Sequence, residues 1–353
     1  MRIGERTYNI KVGFTIFLVI TIVSAAVILY LGVDRNTWTG LKQVRPEYGL
    51  LAIMLVVAQW LMNGLRFQIL INSFEKKVGF WTSFNAYMAN VFMSAMTPSQ
   101  SGGGALQIYI LTRAGIPVAE AFTGCLMGAV LSVICLVISN LAVLLFKSSF
   151  RIHFGHHMSA VFIVAFIVFL SMSLIFMLSI FKIKLIKRIF GKAALFLFRF
   201  FRIKKRFTVT KKLMRGLEQY SRCMLTFAGT KKYRVFIVGL LTMICYSLNA
   251  LVAPVLLAGL NIQEDMMKVF LIQFIIFFIA YFSPTPGGSG LAEFSNYWVM
   301  ASVSVDQSLS LLGVYTLIWR FFTSFLGVGM GALIVLLLVG KRNRKVKSIA
   351  NAD

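Results

Sequence analysis

The stretch SPTPGGSGLAEF, residues 283–294, interrupts an otherwise apolar region with two prolines and three glycines inside seven residues. Proline removes a backbone donor and glycine weakens a helix interior, so a continuous helix cannot pass through this stretch. A related stretch, TPSQSGGGALQ, occupies residues 97–107. The sequence therefore predicts two breaks in the backbone, each flanked by apolar segments.

The composition around these breaks is that of a membrane protein. The 353 residues are 59% hydrophobic and only 13% charged, which lies outside the usual range for a soluble domain. A helix needs about 20 apolar residues to cross a bilayer. The segments that we predict to be transmembrane helices are 12–32, 48–71, 118–146, 157–181, 235–258 and 308–338.

The segments that follow the glycines are too short to cross. Residues 102–113 and 288–299 would each form about 18 Å of helix at 1.5 Å per residue. The simplest arrangement is a pair of re-entrant hairpins, residues 80–113 and 266–299, each of which enters as a helix, breaks and returns to the same side. Broken backbone is tolerated at membrane depth where it is buried in protein or lines a wet cavity.

Charge predicts the orientation. Of the 36 Lys and Arg residues, 28 fall on one side of the predicted spans and five on the other, and 17 of the 28 lie in residues 182–234. The positive-inside rule places this segment and both termini in the cytoplasm of a multi-pass protein in the cell (plasma or inner) membrane. The motif LFLFRFFRIKKRF within the segment favours an interfacial helix that meets anionic headgroups.

The two halves of the chain match at a spacing of 186 residues. Asn63 falls on Asn249 and Pro98 on Pro284, and two glycines of each break also align without a gap, Gly102 with Gly288 and Gly104 with Gly290. Each half would hold three crossings and one hairpin, and an odd number of crossings inverts the second copy. Inverted repeats with broken helices are typical of transporters.

The predicted fold is therefore an all-α polytopic membrane protein with six transmembrane helices and two re-entrant helical hairpins. The first inverted repeat would cover residues 1–147 and the second residues 148–340, which include the basic cytoplasmic segment. Residues 341–353 would form a basic cytoplasmic tail.

Few charged residues fall inside the predicted membrane elements. Ten of the eleven acids lie in tails, loops or helix ends, whereas Glu293 lies within a predicted element, and Arg320 lies near the middle of its helix. A charge at this depth costs several kcal/mol unless it is paired or hydrated. We expect Glu293 and Arg320 to pair, either as a structural ion pair or to handle substrate or protons. Arg66 lies nearer the end of its helix, and we expect its side chain to extend to the cytoplasmic headgroups.

The breaks also predict a use for backbone N–H groups. Returning half-helices that begin at Gly102 and Gly288 would direct positive helix ends into the membrane, where an anion such as phosphate is favoured. The alternative is that the glycines only allow close packing. The candidate substrate-binding residues are Pro98, Ser99, Ser101, Gly102, Gly103, Gly104, Gln107, Pro284, Thr285, Pro286, Gly287, Gly288, Ser289, Gly290, Glu293 and Arg320, with Arg66, Asn63 and Asn249 as accessory positions. Among these, the hydroxyls of Ser99, Ser101, Thr285 and Ser289 lie where N-caps would be.

These motifs, together with LTRAGIPVAEAF and YTLIWRFFTSFLGVGMGAL, resemble the flippase-like family named after the membrane region of lysylphosphatidylglycerol synthase. The resemblance covers nearly the whole chain, and Pro-Thr-Pro-Gly-Gly followed by Glu293 and Arg320 is its most specific part. It implies movement of lipids or lipid-linked sugars across the membrane. Some members carry an aminoacyltransferase domain, which we do not expect here.

Three classes of function follow in order of preference. A lipid translocase accounts for the inverted repeat and the anion-favouring half-helices. An integral membrane enzyme, or an accessory subunit in lipid or glycolipid modification, needs a general base, for which Glu293 is the candidate. A channel needs polar groups along a pore, which these apolar helices do not supply. Membrane lipids, in particular anionic ones, are the expected partners. We expect no nucleic acid, metal or cofactor, and a homo-oligomer is compatible with the sequence.

Overall fold

The computed structural model of the chain describes residues 45–146 and 232–350, apart from 98, 99, 101, 263, 282 and 304–308, together with residues 19 and 22. Most of the predicted helix 12–32, all of helix 157–181 and most of the basic segment lie outside this part. Within it the protein is all-helical and contains no strand.

The described helices follow the predicted order. They are α1 (Pro46–Ile71), α2 (Phe80–Ala95), α3 (Gly103–Arg113), α4 (Val118–Phe146), α5 (Lys232–Gly259), α6 (Met266–Tyr281), α7 (Leu291–Val303), α8 (Leu309–Arg320) and α9 (Leu326–Ala350). By length and apolar composition, four spans of the described part can cross a membrane: Pro46–Ile71, Val118–Leu145, Tyr233–Gly259 and Leu311–Leu338. They correspond to four of the six predicted transmembrane helices.

One predicted boundary is wrong, and one predicted helix contains an irregular turn. The second returning helix begins at Leu291 rather than Gly288, because residues Pro286–Gly288 form a 3-10 turn first. The predicted helix 308–338 is not uniform, because a π-helix, Phe321–Phe325, joins α8 to α9. A π turn inserts an extra residue and occurs often at functional sites.

Helices α1 and α5 pack against each other in opposite directions. The N–H of Arg45, before α1, donates to Gly259 O at the end of α5 over 3.1 Å. At the other end, Arg234 Nη1 donates to Asn72 O over 2.7 Å. The two helices begin 186 residues apart, and so do α2 and α6. The helix starts thus follow the spacing of the sequence match, and α1 and α5, which match, run antiparallel.

The two helical hairpins, α2–α3 and α6–α7, enter the bundle from opposite ends. Val78 and Ile116, which flank the first hairpin, are buried in one cluster with Ile71 at the end of α1. Ile262, which precedes the second hairpin, is buried with Met300 near the end of α7 in a different cluster. The two ends of each hairpin therefore lie close together.

Helix α9 packs closely against the first hairpin because its glycines lack side chains. A Cβ at Gly331 would come against the backbone of Met88 in α2, and one at Gly327 would lie 3.3 Å from Val91. Small residues spaced by four positions let helix backbones approach in membranes. Helix α2 also contacts the 3-10 turn of the second break. It therefore lies between the second break and α9.

Candidate functional site

The second break is a tightly hydrogen-bonded turn. Gly287 and Gly288 have φ angles of 62° and 72°, in the left-handed region that side chains other than that of glycine rarely adopt. The Thr285 hydroxyl donates to Ser289 O over 2.7 Å and also contacts the Ser283 hydroxyl. These bonds satisfy polar groups of a segment whose Pro286 and Gly288 are buried.

Glu293 and Arg320 form the predicted pair at this turn. Arg320 Nε lies 2.9 Å from Glu293 Oε1, and the two side chains are 7% and 2% exposed. The second carboxylate oxygen accepts the N–H of Gly290 over 2.7 Å, and Arg320 Nη2 donates to Gly287 O over 2.7 Å. Arg320 thus joins α8 to both the turn and the start of α7.

This geometry occupies the helix end that was predicted to attract phosphate. Glu293 is the third residue of α7, and its bond to the N–H just before the helix is the carboxylate half of a capping box. The N-terminal end of α7 therefore already carries a negative charge, which Arg320 neutralises. An incoming anion at this end would have to compete with Glu293.

The first break is held by neutral groups instead. Gly102 donates its N–H to the Thr97 hydroxyl over 2.9 Å. Gln107, which matches Glu293 at the 186-residue spacing, accepts from Asn90 Nδ2 over 3.0 Å. Gln100 has a φ of 55°, an uncommon angle for a residue with a side chain. The two breaks thus share a position in the fold and differ in charge.

The Arg66 guanidinium forms its hydrogen bonds with other helices of the bundle, which corrects the expectation for this residue. Its Nη1 donates to Ser132 Oγ of α4 over 3.1 Å and to Thr242 Oγ1 of α5 over 3.2 Å. Both hydroxyls face the interior where α1, α4 and α5 meet, so the guanidinium bonds inside the bundle rather than with headgroups.

The other predicted site residues fall into separate groups. Asn63 is buried and donates to Gln59 O within its own helix, whereas Asn249 is half-buried on α5. Gly103 packs against Asn90 so closely that a side chain would collide, whereas Gly104 is open on its Cβ side. Pro98, Ser99 and Ser101 lie outside the described residues.

Sequence reasoning missed the residues that surround Arg66. Besides Ser132 and Thr242, the phenols of Tyr87 and Tyr246 lie within electrostatic range of the guanidinium. A signal was present, because polar residues recur at helical spacing on otherwise apolar helices. They are Gln59, Asn63 and Arg66 on α1 and Thr242, Tyr246 and Asn249 on α5.

Comparison with known families agrees with this architecture. The family described as the lysylphosphatidylglycerol synthase TM region matches residues 15–331. The chain belongs to this family. Its match includes both hairpins, Arg66 and the Glu293–Arg320 pair.

Two archaeal relatives from this comparison are similar over nearly their full length. A protein of Archaeoglobus fulgidus called "UPF0104 membrane protein" is 24% identical over 321 residues, which cover 90% of this chain and 94% of the relative. A UPF0104 membrane protein of Methanocaldococcus jannaschii is 22% identical over 338 residues, covering 94% and 96%. The family and the apolar helices together identify a multi-pass membrane protein.

Proposed function

We propose that the protein is a lipid translocase, which moves a phospholipid or a lipid-linked headgroup across the membrane through a cavity between the two hairpins. The antiparallel packing of α1 and α5 carries the proposal. These helices match at the 186-residue spacing. Each precedes one hairpin, and the two hairpins enter the bundle from ends opposite to each other. Such a relation is expected of inverted repeats, in which two halves exchange access to a shared site.

The family supports a lipid as the substrate. Its description names lysylphosphatidylglycerol, which is a phospholipid, and the region of that synthase that lies in the membrane. An enzymatic role would need a free general base. Glu293, the candidate base, instead pairs with Arg320 and caps its own helix, which favours translocation over catalysis.

Re-entry of the first hairpin from the cytoplasmic side is part of the proposal. Lys76 precedes α2, and Arg113 ends α3. In a variant without the native cysteines, single cysteines at these positions should be labelled by an impermeant maleimide from the cytoplasm only. Labelling from opposite sides would mean that the hairpin crosses the membrane, and the inverted-repeat arrangement would then fail.

Translocation itself is tested in reconstituted vesicles. A phospholipid with a fluorescent headgroup label is incorporated into both leaflets, and an impermeant reductant destroys the outer half of the signal. The protein should make the inner half accessible as well. A matched control is the double variant E293Q/R320M, which replaces the ion pair by neutral groups of similar size. If the folded wild-type protein leaves the inner signal as protected as in protein-free vesicles, it is not a translocase of that lipid.

A further inference from the structure

Arg66 is a cation inside the bundle that has no carboxylate partner among the described residues. In the part of the chain that the structure describes, no Asp or Glu forms an ion pair with it. A guanidinium stays protonated in proteins, so the positive charge must be compensated by something else. This sets Arg66 apart from Arg320, which has both a carboxylate and a carbonyl.

The hydroxyls that contact Arg66 compensate it only weakly. Ser132 donates its own hydrogen to Gly128 O over 3.0 Å, and Thr242 donates to Val238 O over 2.6 Å. Each hydroxyl can therefore offer Arg66 only a neutral lone pair. The buried Nε of Arg66 has no hydrogen-bond acceptor among the described residues. The hydrogen-bonding capacity of the guanidinium is incompletely used.

The surroundings supply donors and accessible space. Tyr87 of α2, Tyr246 of α5 and Tyr281 of α6 lie within electrostatic range of Arg66. Each of these residues, like Arg66 itself, is half-buried and keeps accessible surface. Phenol hydroxyls and a guanidinium together favour an oxyanion, because both donate hydrogen bonds.

The position of Arg66 relative to the helix ends matters for the kind of anion. Arg66 lies five residues before the end of α1, which is about 7–8 Å along the helix axis. A phospholipid whose headgroup enters the bundle from this end would bring its phosphate to this depth. At the 186-residue spacing, Val252 occupies the matching position on α5. The cation therefore belongs to one half only.

We propose that Arg66 binds a phosphate-type oxyanion inside the bundle. The proposal names phosphate as the chemical group that the proposed translocase would recognise on its lipid. It rests on the translocase function only for the source of that phosphate. A lipid headgroup and free phosphate share the required chemistry, so the experiment separates them.

The test measures thermal unfolding of the purified full chain in a neutral detergent. The probes are short-chain phosphatidylglycerol, short-chain diacylglycerol and inorganic phosphate, each titrated to give an apparent Kd. Wild type should be stabilised by phosphatidylglycerol and not by diacylglycerol. The R66Q variant should bind phosphatidylglycerol at least about tenfold more weakly, the loss expected for a charge-assisted hydrogen bond. The control R113Q removes the same charge from an exposed helix end and should bind like wild type.

Each outcome decides the proposal. Stabilisation by phosphatidylglycerol alone assigns the site to a headgroup, and stabilisation by inorganic phosphate as well assigns it to a general oxyanion site. Equal effects of phosphatidylglycerol and diacylglycerol on wild type overturn the proposal without any variant. Equal losses in R66Q and R113Q also overturn it. If R66Q fails to fold, R66K keeps the charge and should retain at least part of the preference.

The vesicle assay separates the two proposals. Arg66-dependent binding without translocation would leave the oxyanion site standing and remove the translocase. Translocation by a protein whose phosphatidylglycerol binding does not depend on Arg66 would leave the translocase standing and remove the oxyanion site.

Discussion

Arg320 and Arg66 are two arginines inside apolar helices, and they differ in the groups that bond to their guanidinium. Arg320 is paired with Glu293, bonds to Gly287 O and is 5% exposed. Arg66 bonds to two hydroxyls, and no Asp or Glu among the described residues forms an ion pair with it. A buried carboxylate partner indicates a structural role for Arg320, whereas the lack of one among the described residues leaves Arg66 available to an external partner. The comparison thus separates the residue that holds a break from the residue that we propose to bind a ligand.

The largest difference is expected in stability. Removing one partner of a buried ion pair leaves an uncompensated charge, so R320M should lower the free energy of unfolding by about 3–5 kcal/mol. R66M removes a cation that has no carboxylate, and without ligand it should be neutral within about 1 kcal/mol. Thermal unfolding in detergent, followed by tryptophan fluorescence, measures both.

The double variant E293Q/R320M is the control for the first effect. It should recover most of the lost stability, because neither buried charge remains. Equal destabilisation by R66M and R320M would end the distinction between the two arginines.

A smaller effect tests whether the second break is as rigid as the ion pair indicates. Gly288 has a φ of 72°, and a Cβ there would lie 3.1 Å from Ala280 O. G288V should therefore destabilise by about 1–3 kcal/mol through backbone strain. G104V is the matched control at the first break, since a Cβ at Gly104 meets nothing within 4 Å. A G288V protein that unfolds at the same temperature as G104V would show that the turn adapts.

The smallest effect concerns the hydroxyls around Arg66. T242V keeps the shape of Thr242 and removes an acceptor from Arg66, so we expect a loss of about 0.5–1.5 kcal/mol. In an R66M background the same change should cost close to nothing. T123V is the control, because the Thr123 hydroxyl is also buried and bonds to the carbonyl four residues earlier. Additive losses in the double variant would mean that Thr242 and Arg66 do not interact.

The helices and the Glu293–Arg320 pair could be predicted from the sequence for specific reasons. Apolar length marks the spans, and Pro-Gly clusters mark the breaks. Two opposite charges that are each costly in an apolar setting lower that cost by pairing, which is why the Glu293–Arg320 pair could be predicted.

Other features depend on tertiary contacts that no local pattern encodes. Arg66 was expected to reach the headgroups because its position near a helix end allows it. Its real direction depends on hydroxyls 66 and 176 residues away in sequence. The start of α7 was misplaced because the positive φ angles of Gly287 and Gly288 continue the turn beyond the prolines. The amino-acid composition of FFTSF, residues 321–325, does not indicate that a π-helix forms after Arg320.

That π-helix has a consequence for which side of one span faces which neighbour. In an uninterrupted α-helix, residues seven positions apart lie almost in line, so Arg320 and Gly327 would lie on the same face of the helix. One extra residue turns everything after it by about 100°. The first half of the span can therefore direct Arg320 to the turn at Gly287 while the second half presents Gly327 and Gly331 to α2. A single span thus contacts both hairpins, the second through Arg320 and the first through Gly327 and Gly331. Removing one residue from Phe321–Phe325 would rotate one of these two contacts away from its hairpin.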